Sequence, residues 1–227
     1  RRNISGFNLG KVSLVDIPDL TPSYSDIFET FGNSNIKPVP TPFVISGFHP
    51  SVINLLKNYF EKMGISVQAG GSISGSGSSS TINAALEAGD AAAVKVVDGD
   101  AQISAVGTVT HRDGNKVLLF GHPILKRGAI NYPLAKVYVH WVFASSKLSW
   151  KISSTLNTIG AVVQDRTVGA AGILNKQAST IPVKILVKDR DGSKNFNYFL
   201  IKDPVLFPKL FSSLITSSIA EQVSETL

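Results

Sequence analysis

Residues 107–124 read GTVTHRDGNKVLLFGHPI. Two short strands are expected here, Gly107–His111 and Lys116–Phe120, joined around Asp113-Gly114. Asp-Gly suits a two-residue hairpin turn because its central residues must accept positive φ. The second strand, Val117-Leu118-Leu119-Phe120, is apolar on both faces, the pattern of a buried strand rather than an edge. It stops at Gly121-His122-Pro123, where glycine permits a turn and proline fixes φ and ends ladder pairing. An imidazole is thereby held at the mouth of a rigid strand, a good place for a functional group.

The same grammar recurs on both sides. Upstream, Ala92–Val97 and Ala101–Val106 flank Asp98-Gly99-Asp100, a second hairpin, so that residues 92–120 read as a four-strand meander. Downstream, Tyr132–Phe143 is rich in aromatic and β-branched residues. Further strands are expected at Lys147–Lys151, Ile159–Gln164, Ala171–Leu174 and Pro182–Lys188, and Asp191-Gly192 turns into Phe196–Ile201. Short strands at such spacing predict a barrel or a sandwich.

Two helices flank this β-rich part. Pro50 suits a first helical position and Gly64 a C-cap; between them Val52, Leu55, Leu56, Tyr59, Phe60 and Met63 form one apolar stripe. His49 stands where a capping residue would. A closing helix spans Pro208–Thr226, with Leu210, Phe211, Leu214, Ile215, Ile219 and Val223 as its stripe. The expected organisation is an N-terminal arm over 1–42, a β-rich domain over 43–204 and a C-terminal helix over 205–227 packed on it. Within the arm, Lys11–Val15 alternates like a strand, Ser25–Phe31 suits a short helix, and Lys37–Pro42 is a polyproline-like connector. Ile65–Ala69 reads as a strand and the Gly/Ser run 70–80 as a loop; the latter lacks the Lys-Ser/Thr ending of a phosphate-binding loop.

Composition narrows the function. The 227 residues are 43% hydrophobic and 17% charged, enough to bury a real core. The formal charge of +6 comes from scattered lysines and arginines without a basic run, so nucleic acid is not the expected partner. There is no cysteine, which removes disulfides, thiolate nucleophiles and zinc ribbons. No stretch approaches 18 consecutive apolar residues, so no membrane span is expected. His140 has no carboxylate or second histidine at ligand spacing, and neither a metal nor a cofactor is expected.

The segment around His122 resembles the region of the catalytic histidine in the stage IV sporulation protein B family of serine peptidases, where a G-T-(V/L)-T hairpin precedes a G-H-P corner. The resemblance continues at Ile159–Arg166, Gly169–Gly172 and Ile181–Val183, and upstream at Ile45–Phe48 and Leu86–Ala91, covering roughly residues 41–187. It implies a mostly β, trypsin-like barrel fold built from hairpins, protein or peptide substrates, and an extracytoplasmic setting in bacteria. His122 would be the general base. Asp165 would be its orienter, unless it serves a turn cap or a salt bridge with Arg166. The family's G-x-S-G-S-P nucleophile motif is missing: the nearest string, Ser74-Gly75-Ser76-Gly77-Ser78, lacks the proline. The resemblance then implies a nucleophile lying upstream of Arg1, with this chain catalytically incomplete alone. The alternative is a non-catalytic envelope, scaffold or protein-binding domain that retains the peptidase fold.

Overall fold

The computed structural model describes residues 41–70, 86–144, 150–190 and 192–225. The strand and helix expected within 1–40, most of the Gly/Ser run and the turn residue Asp191 lie outside the described residues. The described chain is mostly β, with ten strands in one mixed sheet and two helices.

The first unit differs from the hairpin grammar. Strand β1 (Thr41–Ser46), helix α1 (Pro50–Glu61) and strand β2 (Ile65–Ala69) form a strand–helix–strand crossover, with β1 and β2 parallel, Phe43 facing Val67 in register. Parallel neighbours cannot be joined by a tight turn, which is why a helix intervenes. Thr41 and Pro42, expected in the connector, belong to β1. Helix α1 buries Val52, Leu56 and Phe60 and starts with Pro50 as expected, while Leu55 is exposed. Its regular turns stop at Glu61, two residues early. Met63 N–H then donates to Phe60 O and Gly64 N–H to Glu61 O, the tighter pattern that often satisfies the last carbonyls of a helix.

Next come β3 (Ala91–Gly99), β4 (Gln102–Asp113) and β5 (Lys116–Leu119). The two strands expected at 101–106 and 107–111 are one continuous β4, so the meander has three strands, not four. Gly107 does not break β4; it makes room for a ring, as described below. Asp113 pairs with Lys116, so the turn centres on Gly114-Asn115, and the positive φ of 54° falls on Gly114. Long strands β6 (Gly128–Phe143) and β7 (Trp150–Arg166) follow, then β8 (Gly169–Leu174), β9 (Thr180–Lys188) and β10 (Ser193–Ile201). Trp150 and Lys151 of the strand expected at 147–151, and all of the strand expected at 159–164, lie along the single β7, while 147–149 fall outside the described residues; β6 and β7 are antiparallel partners through most of their length.

The strand order is β2-β1-β4-β5-β8-β7-β6-β3-β10-β9, and β3 also pairs with β4. Six strands, β3-β4-β5-β8-β7-β6, thus close a ring of pairings. The core inside and beside it includes Phe43, Ile45, Phe60, Ile103, Leu119, Leu134 and Leu200, all essentially without solvent exposure.

Helix α2 (Phe207–Glu225) lies against α1, β9 and β10. Its N-terminal half buries Leu210 and Leu214 as expected, but further along the buried side is polar: Ser213, Ser217, Ser218 and Gln222 point inward while Ile219 and Val223 are about half exposed. Small hydroxyl side chains bring the helix close and meet defined partners. Ser218 Oγ is 2.9 Å from the buried Tyr198 hydroxyl, and Ser217 Oγ accepts the backbone N–H of His49 at 2.8 Å. His49 is indeed a cap for α1, its Nδ1 accepting from Ser51 N–H.

Glycines separate two kinds of constraint in this sheet. Gly99 has φ of 112°, and a Cβ there would stand 2.1 Å from the carbonyl oxygen of Asn197. Gly114 has φ of 54° but open space around it. Gly99→Ala should therefore cost at least ~2 kcal/mol because backbone must move. Gly114→Ala should cost only the left-handed strain, about 1–2 kcal/mol. Urea denaturation of the two variants checks this ordering.

Candidate functional site

The corner that carries His122 begins with a tight reversal. Strand β5 ends at Leu119, whose carbonyl accepts Gly121 N–H at 2.9 Å, while the intervening Phe120 has φ of 71°. An i→i+2 bond across a residue of positive φ is the rare, strained form of γ-turn. Such a conformation in a bulky aromatic costs on the order of 1–3 kcal/mol and persists only where its surroundings over-determine it. Three more positive-φ residues follow within eight positions: Gly121 (71°), Lys126 (55°) and Gly128 (74°).

Two contacts fix Phe120. Its N–H donates to Thr108 O at 2.9 Å. Its ring lies on Gly107, where a Cβ would come within 1.6 Å of the ring carbon Cδ1. The glycine in the G-T-V-T hairpin is thus the seat of the ring. His122 stacks on the same ring, with centroids 5.8 Å apart and planes inclined by 22°.

The imidazole is exposed, and its Nδ1 lies 2.9 Å from Pro123 O. A carbonyl oxygen can only accept, so Nδ1 must carry the proton in this bond. In neutral His122 the basic lone pair is then on Nε2, for which no hydrogen-bond partner occurs among the described residues. Pro123 O also accepts from Thr41 Oγ1 at 3.3 Å, tying the corner to β1.

Asp165, on β7, is 1% exposed and works one step behind the imidazole. Its Oδ1 accepts Ile124 N–H at 2.8 Å, and its Oδ2 accepts Leu125 N–H at 2.7 Å and Arg127 N–H at 3.2 Å. Among the described residues no hydrogen bond joins it to His122. Of the roles weighed from sequence, the backbone-capping one describes these bonds. Arg166 turns instead to Gln164, donating from Nε to Oε1 at 2.8 Å. A buried carboxylate with three backbone donors is compensated for its desolvation and anchors the segment that donates them.

Sequence reading missed the layer beneath. Arg127 Nε lies 3.1 Å from Oδ2 of Asp203, a carboxylate almost without solvent exposure. Tyr132, at the core end of β6, donates its hydroxyl to the same oxygen at 2.6 Å. Oδ1 of Asp203 accepts Val205 and Leu206 N–H at 2.8 and 2.9 Å, so this one carboxylate also opens α2. Asp203 precedes Pro204 and the apolar run of α2, and an Asp in that position is a recognisable helix-start signal. Nothing local in the sequence pairs it with Arg127 or Tyr132, which lie more than seventy positions away.

Burial raises the Tyr132 phenol far above its ordinary range; the hydrogen bond to Asp203 and that residue's charge add to the rise, and Arg127 partly opposes it. The phenol therefore stays a donor at any ordinary pH. No group of three or more His, Asp or Glu able to hold a metal occurs among the described residues. A groove of about 580 Å³ opens elsewhere, lined in part by Asp98, Thr158, Asn175, Gln177 and Phe199.

Comparison with protein-family models, with curated proteins and with solved structures finds no match to this chain.

Two variants test the geometry. Gly107→Ala collides with a ring that has little freedom to move, so it should lower stability by about 1–3 kcal/mol and shift the NMR resonances of the His122 ring. Tyr132→Phe tests the buried layer. Because the folded phenol ionises above its unfolded value near 10, the folded state holds more protons above that pH, and stability falls as pH climbs further. Removing the phenol should cost about 1–3 kcal/mol at neutral pH and flatten the alkaline decline, measured by thermal melting between pH 8 and 11.

Proposed function

We propose that this chain is the histidine-bearing domain of a serine peptidase of the stage IV sporulation protein B kind, its six-strand ring being one barrel of a trypsin-like architecture. The substrate class is protein or peptide, met outside the cytoplasm. The observation that carries this reading is the geometry of His122: Nδ1 lies 2.9 Å from Pro123 O, which leaves the lone pair of the neutral ring on Nε2, in an exposed side chain on a corner that is strained and braced from behind.

That arrangement suits a general base. Nε2 would take the proton of a serine hydroxyl as its oxygen attacks the scissile carbonyl, and would return it to the leaving amine. The hydroxyl would come from a Gly-Ser motif upstream of this sequence. Here the Pro123 carbonyl fills the orienting position usually given to a carboxylate. Asp165 is a positioning residue: by holding the amides of 124, 125 and 127 it keeps the Pro123 carbonyl where Nδ1 meets it.

A specific observation favours a second reading. Among the described residues no hydroxyl side chain hydrogen-bonds to Nε2 and no carboxylate reaches the ring. A domain that kept the corner as a rigid protein-binding feature would look the same.

The two readings separate in the full-length natural protein. Under the peptidase reading it hydrolyses dye-labelled casein and is labelled by a serine-reactive fluorophosphonate. His122→Ala should then lose about 10²–10⁴-fold in kcat/KM while its melting temperature stays within a few degrees, because the ring is exposed. Full activity in His122→Ala overturns the assignment. A full-length protein that neither cleaves casein nor takes up the label overturns the peptidase reading.

A further inference from the structure

The groove of about 580 Å³ opens where strand β3 changes neighbours. One edge of β3 is taken by β4. Along the other, residues 92–94 pair with β6 and residues 97–99 with β10, while Lys95 and Val96 pair with neither. Pro133, the β6 residue next to Leu134, has no N–H with which to carry the ladder on. Phe199 stands in register with Asp98, so both belong to one row across β10 and β3, and both line the groove. Asn175, just past the end of β8, lines it too; its φ is 61°, a left-handed conformation open to Asn, and its N–H donates to Ile159 O at 2.8 Å. The site is remote from His122. Asp165 pairs with Ala170 near the start of β8, and Asn175 lies five residues further on, about 17 Å at strand spacing.

Its lining is mixed. Phe199 is 47% exposed, and Ile159 and Ala178 add apolar surface. Thr158, Asn175, Gln177 and Thr180 make no side-chain hydrogen bond among the described residues. Asp98 engages one oxygen, Oδ2, which accepts from Lys95 Nζ at 2.9 Å; among the described residues its Oδ1 is left to accept from a ligand. The main chain around the groove is largely committed: Gly160 pairs with Leu174, and Phe199 lies between Asp98 and Pro182. A peptide that docks by adding a strand needs free main-chain groups. The groups open to a ligand here are side chains.

Charge and donor type decide the ligand. Among the described lining residues there is one carboxylate, Asp98, and one ammonium, Lys176. A phosphate or carboxylate would meet Asp98, and a cation would meet Lys176 and compete with Lys95. Hydroxyls and amides both donate and accept, while the remaining carboxylate oxygen only accepts. A sugar ring is the complement: its hydroxyls do both, and its C–H face lies well against the electron-rich face of a phenyl ring. The volume falls among those of small-molecule sites, roughly 300–1,000 Å³. We infer that this groove binds a neutral oligosaccharide, Phe199 being the platform under one sugar ring and Asp98, Asn175 and Gln177 its hydrogen-bonding partners. This site does not depend on the peptidase reading of His122.

Titration of the nitrogen-15 labelled protein with cellohexaose, maltohexaose, mannohexaose and chitohexaose tests the site by NMR. At least one of these neutral sugars, at millimolar concentration, should shift the amide resonances of Gly160, Asn175, Gln177 and Phe199 while those of Gly121 and His122 stay in place. Phe199→Ser should weaken that binding about tenfold or more, and Gln177→Ala about three- to tenfold. Phe199→Tyr, which keeps the ring, should stay within about twofold of the parent. Phe199 and Gln177 are both exposed, so these variants should fold with unchanged circular dichroism. Asp98 and Asn175 are left alone, the one because it partners the buried Lys95 and the other because of its left-handed backbone. Three results overturn the proposal: no hexaose moves these resonances, Phe199→Ser binds as the parent does, or the anionic hexagalacturonate binds more tightly than every neutral hexaose.

Discussion

The carboxylate of Asp165 accepts three backbone N–H groups from the segment that follows His122, and the candidate site depends on it. Left to local preference, residues 120–128 would not hold this shape: Phe120 and Lys126 both sit at positive φ, against the usual steric preference of side-chain-bearing residues. Each such residue costs on the order of 1–3 kcal/mol, which must be recovered from contacts that exist only in this conformation. A fully buried carboxylate supplies them, because its charge is stabilised only while the three amides point at it. Strain and anchor are mutually required.

From that point the constraint spreads through the fold. Arg127, whose amide is the third donor to Asp165, sends its guanidinium to Asp203, which opens α2 and takes the Tyr132 hydroxyl. On the other side, Thr41 Oγ1 ties Pro123 to the first strand, and Gly107 seats the Phe120 ring that stacks on the imidazole. Four distant parts of the chain therefore converge behind one exposed ring. The outcome is chemical as well as mechanical: with Nδ1 committed to Pro123 O, the exposed nitrogen of neutral His122 is the one that can accept a proton.

Local chemistry was legible in the sequence. The β3–β4 and β4–β5 hairpins, the Pro50 start of α1, His49 as its cap, the Ile65–Ala69 strand and the turn after β5 follow from residue types within a few positions of one another, although the turn expected around Asp113-Gly114 centres on Gly114-Asn115. What depends on distant partners was not. Gly107 reads as the start of a separate strand, with no sign of the Phe120 ring that lies on it, and the parallel pairing of β1 with β2 has no alternation to announce it. Ser217, Ser218 and Gln222 read as the wet side of α2, yet they face inward because Tyr198, the His49 amide and the β9–β10 corner offer hydrogen-bond partners there. At the site, His122 stood out by its place after an apolar strand, of which Val117 and Leu119 are buried while Leu118, expected to be buried too, is half exposed; Asp165 stood out by following a strand and by the resemblance. The Arg127–Asp203–Tyr132 layer joins residues too far apart in sequence for any motif to show it.

The tautomer of His122 tests this account most directly. Nitrogen-15 NMR with long-range couplings to the ring carbon protons distinguishes a protonated from an unprotonated ring nitrogen. For the neutral ring the account predicts a protonated Nδ1 and an unprotonated Nε2, with the Nδ1 population falling in Asp165→Asn as the corner loosens. A neutral ring protonated at Nε2 in the parent protein would contradict it, since the nitrogen facing solvent would then have no lone pair with which to take a proton.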